Sequence, residues 1–231
     1  MKTLTAKNSP FSERPFYADS DIEKMCTTEL SWVGLLPSVP EPIRIDRFIE
    51  KRFKLVPTYQ DLGQGILGLT KFTSQGVSEI VVSKALDDEG GETAERRVRT
   101  TLAHEAGHGL LHAHLFVLAT SDHSLFGDFG DPKSPKVLCR DERVGESGYG
   151  GHWWEYQANQ VMSCLLMPKQ LAMEAAKPFL ESRGLLEIQM LNPGKKRLAT
   201  QELATIFNVN PVVARIRLEH LYPETNGQMT L

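Results

Sequence analysis

The chain has 231 residues, with 26 lysines and arginines against 29 aspartates and glutamates, which gives a formal charge of -3. Hydrophobic residues make up 41% and charged residues 24%, so collagen-like, fully disordered and disulfide-dense classes of protein are excluded. Because the chain has no global positive charge, a nucleic acid or an anionic membrane would need a local basic patch to bind.

The first 42 residues are predicted to form an arm that contains a single helix, since five of the 13 prolines fall there. Ser20 and Asp21 are good N-cap residues, and apolar residues at helical spacing follow them as far as Leu36, just before Pro37. A second helix is predicted over residues 43–53.

The middle of the chain is predicted to contain two strands and a long helix. Apolar and β-branched runs cover 66–72 and 79–83, on either side of Gly76. A turn over 87–91 follows, and a helix should then begin near Glu92 and continue past His112.

Residues 120–151 contain six glycines and two prolines with little periodicity, which predicts a long loop, and such loops are usually functional. Helices are predicted again over 153–167 and 171–179.

The last part of the chain, residues 198–221, has the proportions of a helix-turn-helix, with two short helices on either side of the turn 208–210. The prediction for the whole chain is an N-terminal arm at 1–42, a domain at 43–185 and a C-terminal helical segment at 186–231 packed on that domain.

The three cysteines are few, odd in number and widely spaced, at Cys26, Cys139 and Cys164. This pattern favours free thiols in a reducing compartment over a disulfide framework. The N-terminal residues lack the apolar stretch of a signal peptide, and no window approaches the roughly 20 apolar residues of a membrane span. We therefore expect a cytoplasmic protein without a membrane partner.

The predicted long helix carries the pattern His-Glu-x-x-His at His104, Glu105 and His108. Residues four apart on a helix lie about 40° apart around its axis, so the two imidazoles can reach one metal ion. Glu105 projects beside that ion, where it could accept a proton from water. Apolar neighbours indicate a buried helix, in which these polar side chains would be costly to desolvate without a partner.

A metal site of this type needs a third protein ligand. His114 would match the metzincin pattern, but that pattern requires a glycine at position 111, where this chain has Leu111. On a continuous helix, His114 and His112 lie about 15 Å and about 12 Å along the axis from His104, too far to share a metal. We expect His112 to pack beside the site or to hold a ligating histidine in place.

The predicted helix at 153–167 supplies a carboxylate instead. Glu155 follows two tryptophans and precedes an apolar run, which favours a buried position. Asn159 lies one turn further along and could accept a hydrogen bond from the far nitrogen of a ligating histidine. The sequence therefore predicts Glu155 as the third ligand and Asn159 as the residue that holds a ligating histidine in place.

Two runs together resemble the ImmA/IrrE family of bacterial metallo-endopeptidases: Arg-x-x-x-Ala-His-Glu-x-Gly-His-x-Leu-x-His at 99–112 and Glu-x-x-Ala-Asn-x-x-x-x-x-Leu-Leu-Met-Pro at 155–168. The resemblance extends over roughly residues 43–221. It implies a small zincin-like α+β domain with a short antiparallel or mixed sheet, in a short form without a C-terminal sensor domain.

The same resemblance implies Zn²⁺ bound by His104, His108 and Glu155, with Glu105 as the catalytic base that activates the zinc-bound water. Characterised relatives cleave helix-turn-helix repressors, so the expected substrate is a repressor or another regulatory protein.

Other side chains remain open candidates at this point. Tyr156, His152 and His123 could each stabilise an oxyanion, and nothing in the sequence selects among them. Cys139 could cap the zinc as a thiolate, although an ordinary reduced cysteine is the simpler interpretation. The sequence leaves the oligomeric state open.

The alternative interpretation is a DNA-binding or regulator-binding protein that uses the C-terminal helices and has a non-catalytic metal site. This part of the chain has a local excess of only two positive charges. Its charged residues are Lys195, Lys196, Arg197, Arg215 and Arg217 against Glu202, Glu219 and Glu224. The second helix is rich in apolar residues and leaves little polar surface for a groove. Nucleic acid is therefore not expected as a direct ligand.

Overall fold

The computed structural model describes residues 2–5, 13–115, 136–140, 153–183 and 188–223. The described part is an α+β structure, as the sequence predicts. Its α helices are α1 (Asp19–Trp32), α2 (Ile45–Phe53), α3 (Lys84–Asp88), α4 (Gly91–Leu111), α5 (Trp153–Leu166), α6 (Lys169–Ala176), α7 (Lys196–Ile206) and α8 (Pro211–Leu221). Its strands are β1 (Lys2–Thr5), β2 (Glu13–Phe16), β3 (Thr58–Gln60), β4 (Ile66–Thr73), β5 (Gly76–Ser83), β6 (Lys136–Arg140), β7 (Leu180–Arg183) and β8 (Ile188–Leu191).

The main sheet is small and mixed, with strand order β3-β5-β4-β6. Strands β4 and β5 form an antiparallel hairpin, β3 pairs in parallel with β5, and β6 pairs antiparallel with β4. Gly76 takes a φ of 111° at the hairpin turn, in the left-handed region that favours glycine. Helix α4 packs against β4 and β5, so the helix with the His-Glu-x-x-His pattern lies on this sheet.

Several elements differ from the sequence prediction. The N-terminal arm forms an antiparallel pair, β1 with β2, and β6 lies inside the stretch predicted as a loop. A short helix, α3, covers residues 84–88 and overlaps the start of the turn predicted at 87–91, and β7 and β8 form an antiparallel pair that the sequence does not predict. These segments are only four or five residues long, too short for hydrophobic periodicity to identify them.

Helix ends also differ from the prediction. The N-cap of α1 is Ala18 rather than Ser20 or Asp21, and the Asp21 carboxylate accepts a hydrogen bond from the Ala18 amide at 3.3 Å. The same helix ends at Trp32 instead of continuing to Leu36, because Gly34 at φ 67° turns the chain.

The long helix α4 ends at Leu111, with His112 at its C-cap, so it does not continue past His112. The strand predicted over 79–83 begins earlier, at Gly76. The two C-terminal helices and the turn between them agree with the prediction.

Buried apolar side chains from α1, α2, α4, α5, α7 and α8 form one hydrophobic core, and Trp153 and Trp154 of α5 form a smaller cluster with Phe72. Within the larger core, the fully buried Arg217 of α8 pairs with Glu23 of α1 through Nη1 and Oε1 at 2.6 Å, and its Nε donates to the Met167 carbonyl at 3.0 Å. Arg99 of α4 donates to the carbonyls of Ile43 and Asn208. These bonds attach the C-terminal helices to the same body that contains α4.

Among the residues that the structure describes, no helix combines the length and the apolar character needed to cross a membrane.

Candidate metal centre

The side chains of His104, His108 and Glu155 converge on one point between α4 and α5. The two Nε2 atoms are 3.0 Å apart, and Glu155 Oε2 lies 3.0 Å from Nε2 of His104. Glu155 Oε1 lies 3.5 Å from Nε2 of His108. The three residues each offer a ligand atom within 4.8 Å of the others, and both histidines are buried.

Close contact between the two helices brings Glu155 to this point. A Cβ atom on Gly107 would lie 2.9 Å from the Ala158 carbonyl oxygen and 3.1 Å from the Ala158 Cα. Real Cβ atoms essentially never approach other atoms to less than 3.0 Å, so only glycine fits there without moving the α5 backbone. The glycine inside the His-Glu-x-Gly-His run therefore sets the distance between the helices that carry the three candidate ligands.

The hydrogen bonds of His108 fix which of its nitrogens faces the centre. The Pro15 carbonyl can only accept, so Nε2 of Gln157 donates to it at 2.8 Å, and Gln157 Oε1 then accepts from Nε2–H of His112 at 3.1 Å. Nδ1 of His112 is left as an acceptor, and Nδ1–H of His108 donates to it at 3.0 Å. Nε2 of His108 therefore points its lone pair at the centre.

Asn159 does the same for the other histidine. Nδ1–H of His104 donates to Oδ1 of Asn159 at 2.9 Å, which leaves Nε2 of His104 to face the centre. This is the position that the sequence predicts for Asn159, one turn beyond Glu155.

Electron-pair donors from three side chains thus meet in a buried space, and a cation or a proton must lie among them to offset their repulsion. Burial raises the pKa of Glu155, but the charges and hydrogen bonds of the two histidines outweigh it and hold the pKa well below its usual range. Burial lowers the pKa of His104, and the hydrogen bond and charge of Glu155 reverse the shift, so the pKa is raised. Burial lowers the pKa of His108.

Two imidazole nitrogens and one carboxylate oxygen are a common donor set for divalent transition metals. The hydrogen bonds to Asn159 and His112 orient the Nε2 lone pairs of His104 and His108 towards the centre, so the described residues fit such an ion. His104, His108 and Glu155 could therefore hold a metal ion.

Glu105 lies beside this group, and strand β4 shapes its surroundings. Its carboxylate is fully buried, and Oε2 accepts a hydrogen bond from the Thr70 hydroxyl at 2.5 Å. Oε1 has no hydrogen-bond partner among the described residues. A Cβ on Gly68 would lie 2.9 Å from that oxygen, so the glycine leaves room for the carboxylate. Burial raises the pKa of Glu105 to about 8.

The remaining histidines of the motif region lie outside the donor group. His112 packs edge-to-face on Trp153 with ring centroids 5.7 Å apart, and burial lowers its pKa to about 3. His114 follows the end of α4, and its buried Nε2 has no hydrogen-bond partner among the residues that the structure describes. Both positions agree with the expectation that neither is the third ligand.

The other candidates from the sequence are only partly placed. Tyr156 is half-buried and directly follows Glu155 on α5. Cys139 lies on β6, but its side chain is outside the described part, and His152 and His123 also lie outside the described residues.

Four contributors to this site are not predicted from the sequence: Gly68, Thr70, Gln157 and the carbonyl of Pro15. A glycine inside a strand is a recognised sign of a close approach, so Gly68 carried a signal that could have been used. Gln157 lies between the predicted ligand and its neighbour on α5, but its partner is 142 residues away in the sequence.

The fold and the site define a class: an α+β protein with a buried group of two histidines and one carboxylate on facing helices that could hold a metal ion. Comparison of the chain with protein-family models and with curated proteins found no match.

Proposed function

We propose that the protein is a zinc-dependent endopeptidase similar to the ImmA/IrrE family. The observation that carries the proposal is the position of Glu105. A buried carboxylate with one unpartnered oxygen among the described residues lies next to three convergent metal-ligand side chains. A purely structural metal site needs no such carboxylate, and burying it is costly unless it has a role.

In this proposal, His104, His108 and Glu155 would hold the zinc ion and leave a further position open. When bound, zinc would act as a Lewis acid that lowers the pKa of water and polarises the scissile carbonyl. The carboxylate of Glu155 reduces the net positive charge of the buried centre, which two neutral imidazoles alone cannot do.

Glu105 would act as the general base and then as the general acid. Its raised pKa suits a group that takes a proton from water and returns it to the leaving amine. A neighbouring divalent cation would lower that pKa and favour the ionised form before the reaction. Thr70 donates to Oε2 and leaves Oε1 to accept the proton from water.

The proposed substrate is a helix-turn-helix repressor or another regulatory protein, and this step rests on the resemblance of the two sequence runs. Proteolysis can be tested directly before the substrate is identified. A bacterial lysate is incubated with the zinc-loaded protein or with Glu105→Gln, and new protein N-termini are labelled and identified by mass spectrometry.

We expect a small set of new N-termini with the wild type that is absent with Glu105→Gln, although the variant still binds zinc. The amide cannot accept the proton, so hydrolysis should fail while the ligands remain. The same N-termini from both proteins, or none from the wild type, would contradict the proposal.

No observation favours DNA binding as a second function. Two of the basic side chains in the C-terminal helices, Lys196 and Arg215, pair with Glu219 at 3.0 Å each. Arg217 is buried against Glu23. A salt-dependent shift of duplex DNA by the purified protein would reverse this conclusion.

A further inference from the structure

A chain of hydrogen bonds connects the N-terminal strand β2 to one of the candidate metal ligands. It runs from the Pro15 carbonyl through the side chains of Gln157 and His112 to His108. The three distances are 2.8, 3.1 and 3.0 Å. The side chains of all three linked residues are buried, so water cannot readily replace a lost bond.

The chain has a fixed direction because its outer end is a carbonyl. Gln157 must donate to it, and every later donor and acceptor follows from that first bond. Without the Gln157 amide oxygen, Nε2–H of His112 would lose its acceptor. The ring could then adopt the other tautomer, with a proton on Nδ1 pointing at His108. His108 in turn would lose the acceptor that keeps its own Nε2 free of a proton.

We propose that Gln157 is a positioning residue that couples the N-terminal segment Glu13–Phe16 to the metal centre. In this arrangement the segment is part of the site: it holds Gln157, and through His112 it keeps His108 ready to bind the metal. The inference rests on the proposed metal site, but not on the proposed peptide hydrolysis.

Coupling of this kind is reciprocal. If the segment helps His108 to bind the metal, the metal must stabilise the contact of the segment with Gln157 by the same free energy. The other histidine, His104, donates its hydrogen bond to Asn159, which lies on α5 itself. Of these two histidines, His108 is therefore the one whose hydrogen bonds lead from the metal centre to strand β2.

The first experiment uses the wild-type protein alone. Hydrogen exchange is measured by mass spectrometry with and without Zn²⁺, for peptides that cover β2 and, as a control, the antiparallel pair of β7 and β8. We expect zinc to slow exchange at residues 13–16 and to leave residues 188–191 unchanged. Equal exchange at 13–16 in the two states would overturn the inference, provided that zinc binds.

The second experiment compares Gln157→Met, which keeps the side-chain length but loses both hydrogen bonds, with Gln160→Met on the same helix. Zinc affinity is measured by competition with a chelator. We expect Gln157→Met to bind zinc roughly 10 to 100-fold more weakly, as for other groups that hold a metal ligand in place. Gln160→Met should bind as the wild type does.

Three further measurements separate positioning from a loss of fold. Cobalt-loaded Gln157→Met should have an altered visible absorption spectrum, because His108 is reoriented, while its far-ultraviolet circular dichroism stays unchanged. Zinc should no longer slow exchange at residues 13–16 in this variant. Unchanged zinc affinity and an unchanged cobalt spectrum would overturn the inference and leave the metal site intact. Absence of zinc binding by the wild type would overturn the proposed site itself.

Discussion

The hydroxyl of Thr70 on β4 donates a hydrogen bond to Oε2 of Glu105 at 2.5 Å, and the second oxygen of that carboxylate faces no partner among the described residues. The strand thus holds one oxygen and leaves the other available. A freely rotating carboxylate loses conformational entropy each time it is oriented for reaction, whereas the fold already holds the Glu105 carboxylate in one orientation.

The first prediction concerns Thr70. Thr70→Val has nearly the same shape but cannot donate, so we expect it to keep its zinc and to lower kcat by roughly 10 to 100-fold, the loss expected for a hydrogen bond to a charged group. Thr70→Ser keeps the hydroxyl and should retain most of the activity. The measurement is cleavage of a substrate identified by N-terminal labelling, and equal kcat for Thr70→Val and wild type would remove Thr70 from the site.

The second prediction concerns the contact between α4 and α5. Gly107→Ala places a Cβ 2.9 Å from the backbone oxygen of Ala158, so the helices must separate. We expect the free energy of unfolding to fall by about 1 to 3 kcal/mol and zinc affinity to fall with it.

Gly109→Ala is the matched control for this variant. Its Cβ would meet side-chain atoms of Phe53 on α2 and Val77 on β5 rather than the backbone of α5. It should lower stability without weakening zinc binding. If both variants bind zinc equally well, the close approach at Gly107 does not set the geometry of the centre.

The sequence is sufficient to predict the side chains that lie on two long helices. His104 and His108 follow from the helical repeat, and Glu155 with Asn159 follows from the need for a third ligand and the same repeat. These inferences need only the spacing of residues within one helical turn and the requirement for a third metal ligand. They depend little on how the sheet is built.

The rest of the site depends on contacts that the helical repeat does not encode. Thr70 and Glu105 are 35 residues apart and meet only because β4 lies against α4. Pro15 contacts Gln157 from strand β2, which lies in the segment that the sequence predicts to be an arm without strands. Short strands such as β2 gain their stability from pairing and packing rather than from their own residues, so their positions need the three-dimensional structure.

The third prediction concerns pH and the metal-free protein. The pKa of His112 is about 3 in the folded state, against 6.5 for the ordinary side chain. The unfolded chain therefore binds a proton on this group at pH values where the folded chain does not, and stability falls as pH drops below 6.5. His112→Gln should reduce the slope of unfolding free energy against pH by about 1.4 kcal/mol per pH unit between roughly pH 4.5 and 6.

Urea unfolding curves measured across that range test this prediction. Glu155, whose pKa is lowered in the folded state, adds to the slope mainly near and below the ordinary glutamate pKa of 4.5, and it should add equally in the variant and the wild type. An identical slope for the variant and the wild type would mean that His112 takes up its proton without unfolding.

The fourth prediction concerns the attachment of the C-terminal helices. Glu23→Ala leaves the buried Arg217 without its carboxylate, and such a loss costs about 3 to 5 kcal/mol of unfolding free energy. The double variant Glu23→Ala with Arg217→Met removes the unpaired charge and should recover part of that loss. A single variant as stable as the wild type in urea would show that the ion pair does not hold α8 to α1.

The most direct test of the metal site compares the wild-type protein with Glu155→Ala. Both are dialysed against Zn²⁺ and freed of unbound metal. Elemental analysis then gives the metal content of each, and the zinc affinity of each is measured separately. We predict one zinc per chain in the wild type. In Glu155→Ala we predict an affinity reduced by far more than the roughly 10 to 100-fold expected of a supporting residue such as Asn159. A wild-type protein with no stoichiometric transition metal, or a Glu155→Ala variant that binds zinc as tightly as the wild type, would contradict the metal site and the hydrolysis proposed to depend on it.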